Sequence, residues 1–480
     1  MRDTAILRRY LPKLLASVVM CLVFYLLYES EIALFISICF IPSFVILSLI
    51  FKYEDLFSPL SFVFLSAFVG ITAKPIYILL FADESVYSFT MRGESIDYFF
   101  FPALYVIIGI CTFWFGFRMK MRPLRLGRFV DRNRTLLWST NKVIVFTIII
   151  VIISSIGYVL FVRSYGLVDT DLSSIMSKKI LRDENVRGTI TYGYYRSMAA
   201  LINLGFYIVL IHYLSKAQLR CRFIWRLFLM LLFLLALIFP LFTNSRGSLL
   251  YVFIISMVII SHYRRVNLSF FILPIFLASV LFGMMTIQRT TSKTSEIGAL
   301  TKKVDSGILI KGILGRRYLL DIFKTAHIIK AIPEKLDYEY GSTMTAWVAA
   351  PIPRSTWSEK PIIANGAIIG VEVFGNRISG VPPGLFGEFY WNFGIIGIVL
   401  GGFLFGRMLK WFYVSFRSKS NPNCVLIYST SVMFFAFYIV NVNVNQFIVR
   451  SVTTLIPVII SILFLSTYSL EDIKDRRNYR

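Results

Sequence analysis

Apolar runs of about twenty residues recur along the chain at 14–28, 32–51, 56–81, 98–117, 143–162, 197–214, 227–242, 247–261, 268–287, 391–409, 424–440 and 447–468, each closed by a polar break. A helix of that length crosses the hydrocarbon core of a bilayer. The pattern therefore predicts twelve transmembrane helices, in an all-α polytopic membrane protein. Most breaks are short, and the longest are 163–196 and 288–390. Irregular backbone cannot face lipid, so 288–390 is expected to form a large, mostly helical loop between spans nine and ten. The chain then divides into spans one to nine (1–287), the loop (288–390), and spans ten to twelve with a tail (391–480). Within the loop, 308–332 reads as an amphipathic helix ended by Pro333, with Arg317, Asp321 and Lys324 in one polar stripe.

Charge gives this pattern a direction. With both termini on one face, the segments on that face hold 27 of the 50 Lys and Arg but only seven of the 26 acids. Basic loops stay cytoplasmic, so both termini are expected inside and 288–390 outside. Cysteines introduced at 130 and 300 should then label from opposite faces, and labelling of both from one side would refute the topology. A composition of 57% hydrophobic and 16% charged residues excludes an ordinary soluble domain. The net charge of +24 is accounted for by topology, with no nucleic-acid partner required. The five cysteines fall in spans or on the inner side, which leaves none for an outer disulfide. The amino-terminal run lacks a small-residue cleavage site and reads as an uncleaved first span.

Candidate chemistry concentrates at the end of the long outer loop. Arg354 and Lys360 flank Trp357 between prolines, and an indole face beside two cations suits a sugar carrying a phosphate; a cation–π surface turn is the plainer alternative. Glu388, at the outer start of span ten, can take a proton from a sugar hydroxyl or simply cap a helix. His327 is the one histidine outside, a second candidate base, although a histidine on an amphipathic helix is more often packed than catalytic. Arg246 lies in a turn of a few residues at the outer membrane surface, where its fork of donors can hold a phosphate or serve as an interfacial anchor. Arg289, Arg317 and Lys74 add positive potential. Gly397, Gly401, Gly402 and Gly406 have the small-residue spacing of helix packing. The outer segments contain no Gly-rich phosphate loop, HExxH, CxxC pair or Asp-rich cluster, so neither a metal nor a nucleotide cofactor is expected.

The span order, the SRG turn (Ser245–Gly247), YGSTM (340–344), IPRSTWSEKP (352–361) and PGLFGEFYWNFGIIG (383–397) together resemble the Wzy-type oligosaccharide repeat unit polymerases. The likeness covers most of the chain by architecture and about sixty residues by motif. It implies a bacterial inner-membrane glycosyltransferase with a periplasmic loop, serving O-antigen or related surface polysaccharide. Such an enzyme moves a growing glycan from undecaprenyl pyrophosphate onto the next lipid-linked repeat unit, alongside a flippase and a chain-length regulator. On this resemblance Arg246 and Arg354 are the leading pyrophosphate ligands, followed by Lys360 and Glu388. Two rivals stay open: an O-antigen ligase, which needs an outer histidine, and a lipid-linked oligosaccharide flippase or other transporter. The transporter reading expects functional charges within spans, and the spans read as nearly free of them.

Overall fold

The computed structural model describes residues 55–123, 137–164, 192–220, 222–242, 246–264, 321–352, 356–357, 359–363, 365–376, 380–417, 421–441 and 443–467, with 277 and parts of 31–39. Seven helices in it are long and apolar enough to cross a membrane: Pro59–Leu80, Asp97–Arg118, Thr140–Arg163, Tyr194–Ser215, Phe223–Leu241, Gly384–Phe416 and Val444–Leu465. Each matches an expected span. Two further expected spans coincide with the helices Arg246–Tyr263 and Pro422–Asn441, while 14–28, 32–51 and 268–287 lie wholly or largely outside the described residues. The chain is a helical membrane protein.

Two compact units are formed, each from discontinuous segments. The first comprises Met1–Arg122, Asp305–Tyr413 and Phe434–Val452. Its helix α1 (Pro59–Ala67) starts where Ser58 Oγ accepts from the Ser61 amide, with proline in the first turn where no donor is needed. It passes through a π turn (Phe68–Ala73) into α2 (Lys74–Leu80). A π turn holds one more residue than an α turn and so rotates everything after it. Here that places Lys74 among buried groups.

Helix α3 (Glu84–Met91) is capped by Asp83, and α4 (Asp97–Arg118) comes next. Later in the same unit, α10 (Ile322–Lys330) and α11 (Gly366–Glu372) are short, and α12 (Gly384–Phe416) is long but broken. At the break Phe393 has φ −140°, ψ 18° and Gly394 φ 60°, ψ −148°. A side chain at Gly394 would be strained there. The break folds the start of α12, up to Asn392, back against the remainder of the helix, so a Cβ at Gly397 would lie 2.2 Å from the Phe389 carbonyl oxygen. The later glycines serve a different contact: a Cβ at Gly402 would lie 2.7 Å from the Gly109 carbonyl oxygen and one at Gly406 2.1 Å from that of Phe113. These pairings rise together in number, so α4 and α12 run parallel with backbones in touch, the packing expected of small residues at every fourth position.

The helix expected at 308–332 is shorter than its pattern suggests. It begins at Ile322, because Asp321 has extended backbone and its Oδ1 accepts from the Phe323 and Lys324 amides at 3.1 and 3.3 Å. Asp321 and Lys324 are both buried and form no solvent-facing stripe; Arg317 lies outside the described residues. Helix α10 packs on α4, and its Ile328 joins Ile369, Val373, Phe374 and Trp391 in one apolar cluster. The described part of 288–390, up to the start of α12, is short helices joined by turns.

The second unit comprises Pro123–Val304, Val414–Met433 and Thr453–Arg480. Helix α5 (Thr140–Ser164) packs on α6 (Tyr192–Ala199) and α7 (Leu201–Ser215), with Gly157 against Met198 and Gly205 against Ile150. Helices α8 (Phe223–Phe242) and α9 (Arg246–Tyr263) come after them. Residues of α13 (Pro422–Asn441) and α14 (Val444–Leu465) belong in part to each unit. A two-residue antiparallel pair, β1 (Leu137–Trp138) with β2 (Ser466–Thr467), lies beside the Trp138 Nε1 to Asn423 Oδ1 bond of 2.8 Å.

Candidate functional site

Four pieces of the first unit converge on Glu388. The short stretch of α12 before its break supplies Glu388 and Asn392, which stand at i and i+4 and so share one face of the helix. The turn Ser342–Thr345, entered through Gly341 at φ 99°, supplies Thr343. Asn365 stands just before α11, and Asn443 stands just before α14, whose first turn supplies Val444 and Asn445. Apart from Val444, which is half-buried, these residues are buried, with Glu388, Asn392 and Asn445 fully inaccessible.

Removing a carboxylate and several amides from water is costly unless every polar atom finds a partner, and the arrangement meets that demand closely. Glu388 Oε1 accepts from Asn365 Nδ2 at 3.1 Å and Oε2 from the Val444 amide at 2.6 Å. Asn392 Nδ2 donates to Thr343 Oγ1 at 2.7 Å and to the Glu388 carbonyl at 2.8 Å, while its Oδ1 accepts from the Gly341 amide at 2.7 Å. The Thr343 carbonyl accepts from Asn365 Nδ2 at 2.9 Å and from Asn445 Nδ2. Asn445 Oδ1 takes the Trp347 amide at 3.1 Å, and Asn443 Nδ2 reaches the Ile363 carbonyl at 2.9 Å. The asparagines clip together segments far apart in the chain. No cation pairs with Glu388 among the described residues. Backbone holds Oε2 at Val444, while side chains, the Asn365 amide on Oε1 and the Thr343 hydroxyl, supply the other bonds to the carboxylate. Side-chain partners are the ones a rotamer change releases, so it is on their side that Glu388 can meet a ligand hydroxyl.

The chain matches no family model, no curated protein and no solved structure.

Lys360 closes the preceding loop, its Nζ donating to the Ala350 and Ile352 carbonyls at 2.9 and 2.7 Å. It shapes the loop that carries Trp357, which is 40% exposed. Arg354 and Arg289 lie outside the described residues. Arg246 opens α9 in the second unit, and its side chain is also outside them. His327 is buried on α10; its Nε2 lies 3.1 Å from the Thr90 carbonyl, which can only accept, so Nε2 carries the proton. Tyr98, Phe99 and Phe374 surround the ring at 5.4 to 5.8 Å. That is the setting of a packed histidine.

Lys74 differs from its sequence reading. In place of an exposed source of positive potential, its Nζ lies 2.5 Å from Asp321 Oδ2, with both side chains almost wholly inaccessible. The spans are therefore not free of charge, since Lys74 and Glu388 both belong to apolar helices. The asparagines were missed by sequence reasoning, although NVNVNQ (441–446) between two apolar runs is a visible signal, because amides so placed need partners. Among the described residues no three His, Cys, Asp or Glu side chains come together.

Proposed function

We propose that the protein is a membrane glycosyltransferase of the repeat-unit polymerase kind, acting at the outer face of the inner membrane on lipid-linked oligosaccharides. One observation carries the reading: sequence motifs far apart in the chain meet at one buried carboxylate. Thr343 of YGSTM and Glu388 and Asn392 of PGLFGEFYWNFGIIG lie in one hydrogen-bonded node, while IPRSTWSEKP leads into Asn365 and is closed by Lys360. A transfer driven by a pyrophosphate leaving group requires positive charge for that group and a base for the acceptor hydroxyl. In this reading Glu388 is the base, and Arg246 and Arg354 hold the pyrophosphate. The parallel run of α4 and α12 agrees with a topology in which both cross in the same sense.

Deleting the gene and running the surface polysaccharide on a gel tests the activity. A core carrying a single repeat supports a polymerase; a core with no glycan would overturn this reading in favour of a ligase or flippase. Arg246→Lys and Arg354→Lys should each shorten or abolish long chains, because a point charge does not reproduce a bidentate fork. Normal chain lengths at normal protein level would remove that arginine from the site.

A transporter is the second reading, favoured by the helix break at Phe393 and Gly394 and by ionisable groups buried in spans, both common where substrates cross membranes. It predicts that the deletion strain accumulates complete repeat units on the inner leaflet.

A further inference from the structure

The ends of α4 and α12 remote from Glu388 have no part in the proposed transfer, yet they gather an unusual density of positive charge. Arg118 ends α4 and Lys120 and Arg122 follow it directly, while Arg407 and Lys410 lie in the last third of α12. The glycine contacts hold the two helices side by side. Arg407 Nη1 donates to the Lys120 carbonyl at 3.1 Å, and Lys410 Nζ stands 5.0 Å above the Phe117 ring and 5.4 Å above that of Tyr413. No acid occurs in 98–130 or in 389–470, so neither helix can neutralise its own cations. Helix α1, which touches α4 through Phe64 and Phe113, brings one described acid, Asp55, whose Oδ1 accepts from the Phe57 amide.

An apolar surface leads directly to this charge. On α4 Cys111 and Phe115 are exposed one turn apart, with exposed Met119 just past the helix end, and on α12 Leu400, Leu404 and Met408 are exposed at intervals of four. Phe115 and Phe403 meet across the seam with ring centroids 6.0 Å apart. Trp114 and Trp411 lie at the level where the apolar surface gives way to charge, the usual depth of indoles at a membrane boundary. Two apolar stripes running side by side into five cations match an acyl chain pair joined to an anionic head group.

We propose that the α4–α12 seam binds an anionic phospholipid of the surrounding membrane, with the head-group phosphate held by Lys120, Arg122, Arg407 and Lys410 and the acyl chains lying along Phe115 and Leu404. Clustered cations beside transmembrane helices attract anionic lipid by about fivefold per Lys or Arg. Because the residues lie away from Glu388, the site stands independently of the proposed transferase activity.

The test uses the full-length protein reconstituted in nanodiscs of phosphatidylcholine containing phosphatidylglycerol, then released and examined by native mass spectrometry for retained lipid. Phosphatidylglycerol should be retained at least about tenfold over phosphatidylcholine. Lys410→Gln should lower that preference about fivefold, and the combination of Lys120→Gln, Arg122→Gln, Arg407→Gln and Lys410→Gln should remove it. The charge-conserving Lys410→Arg should retain it. Equal retention of the two lipids by the native protein overturns the proposal, as does a preference unchanged in the combined variant. Should the combined variant fail to fold, the single glutamine variants decide, and undiminished preference in all four also overturns it.

Discussion

Glu388→Gln should both loosen the first unit and abolish long-chain polysaccharide. The substitution conserves shape, so its effect reports hydrogen bonding. In the native node Oε2 faces the Val444 amide and Oε1 faces Asn365 Nδ2, and the Thr343 hydroxyl also bonds the carboxylate, donors that its two oxygens satisfy together. Glutamine has only one acceptor atom at its tip. If its oxygen meets Val444, its amide nitrogen confronts Asn365 Nδ2; rotating Asn365 to present oxygen then breaks the Asn365 bond to the Thr343 carbonyl. No arrangement of the two amides satisfies every atom, and an unsatisfied buried donor costs about 1–3 kcal/mol. Thermal unfolding of the purified protein should show that loss. A missing general base lowers rate by about 10² to 10⁴, far more than the change in folded fraction in a protein that still accumulates. Chain synthesis from lipid-linked repeat units by the purified variant, corrected for folded protein, separates the two effects. Native rates in a destabilised variant would leave Glu388 as a structural clip and require another base. His327→Ala, by contrast, should cost packing and leave the corrected rate near native.

Lys74→Ala is the second large effect. The Lys74–Asp321 pair is buried on both sides, and removing one member of such a pair leaves an uncompensated charge that costs about 3–5 kcal/mol. Asp321 does two jobs with separate oxygens, since Oδ2 meets Lys74 while Oδ1 caps α10. Asp321→Asn preserves a capping oxygen yet removes the negative charge facing the ammonium, so it should be nearly as damaging as Lys74→Ala. Combining Lys74→Met with Asp321→Asn removes both charges and retains the cap, and should recover most of the stability. Unfolding midpoints of the three variants in one detergent decide the matter. A double variant no better than the singles would show that the pair contributes something beyond mutual neutralisation, such as the ionisable pathway a transporter requires.

Much of the helical framework was legible in the pattern of apolar runs because membrane insertion is nearly a one-dimensional rule: about twenty consecutive apolar residues must become a helix wherever they stand. The glycines of α12 announced close packing for the same local reason, although Gly402 and Gly406 contact α4 whereas Gly397 and Gly401 contact the folded-back start of their own helix. Glu388 was recognisable as a carboxylate in an apolar setting. Its partners were harder to see, since Asn365 stands 23 residues before it in the chain and Val444 56 residues after it.

The apolar pattern by itself determined that this is a helical membrane protein and where most of its described spans lie, because lipid imposes the same demand on each segment independently. Only the tertiary structure decided the surroundings of each charge: Lys74 in a buried pair with Asp321, His327 among Tyr98, Phe99 and Phe374, and Lys360 on the Ala350 and Ile352 carbonyls. The energy of a buried charge or amide depends on which atoms stand within about 3 Å of it, and those atoms come from segments that the chain brings together only when it folds.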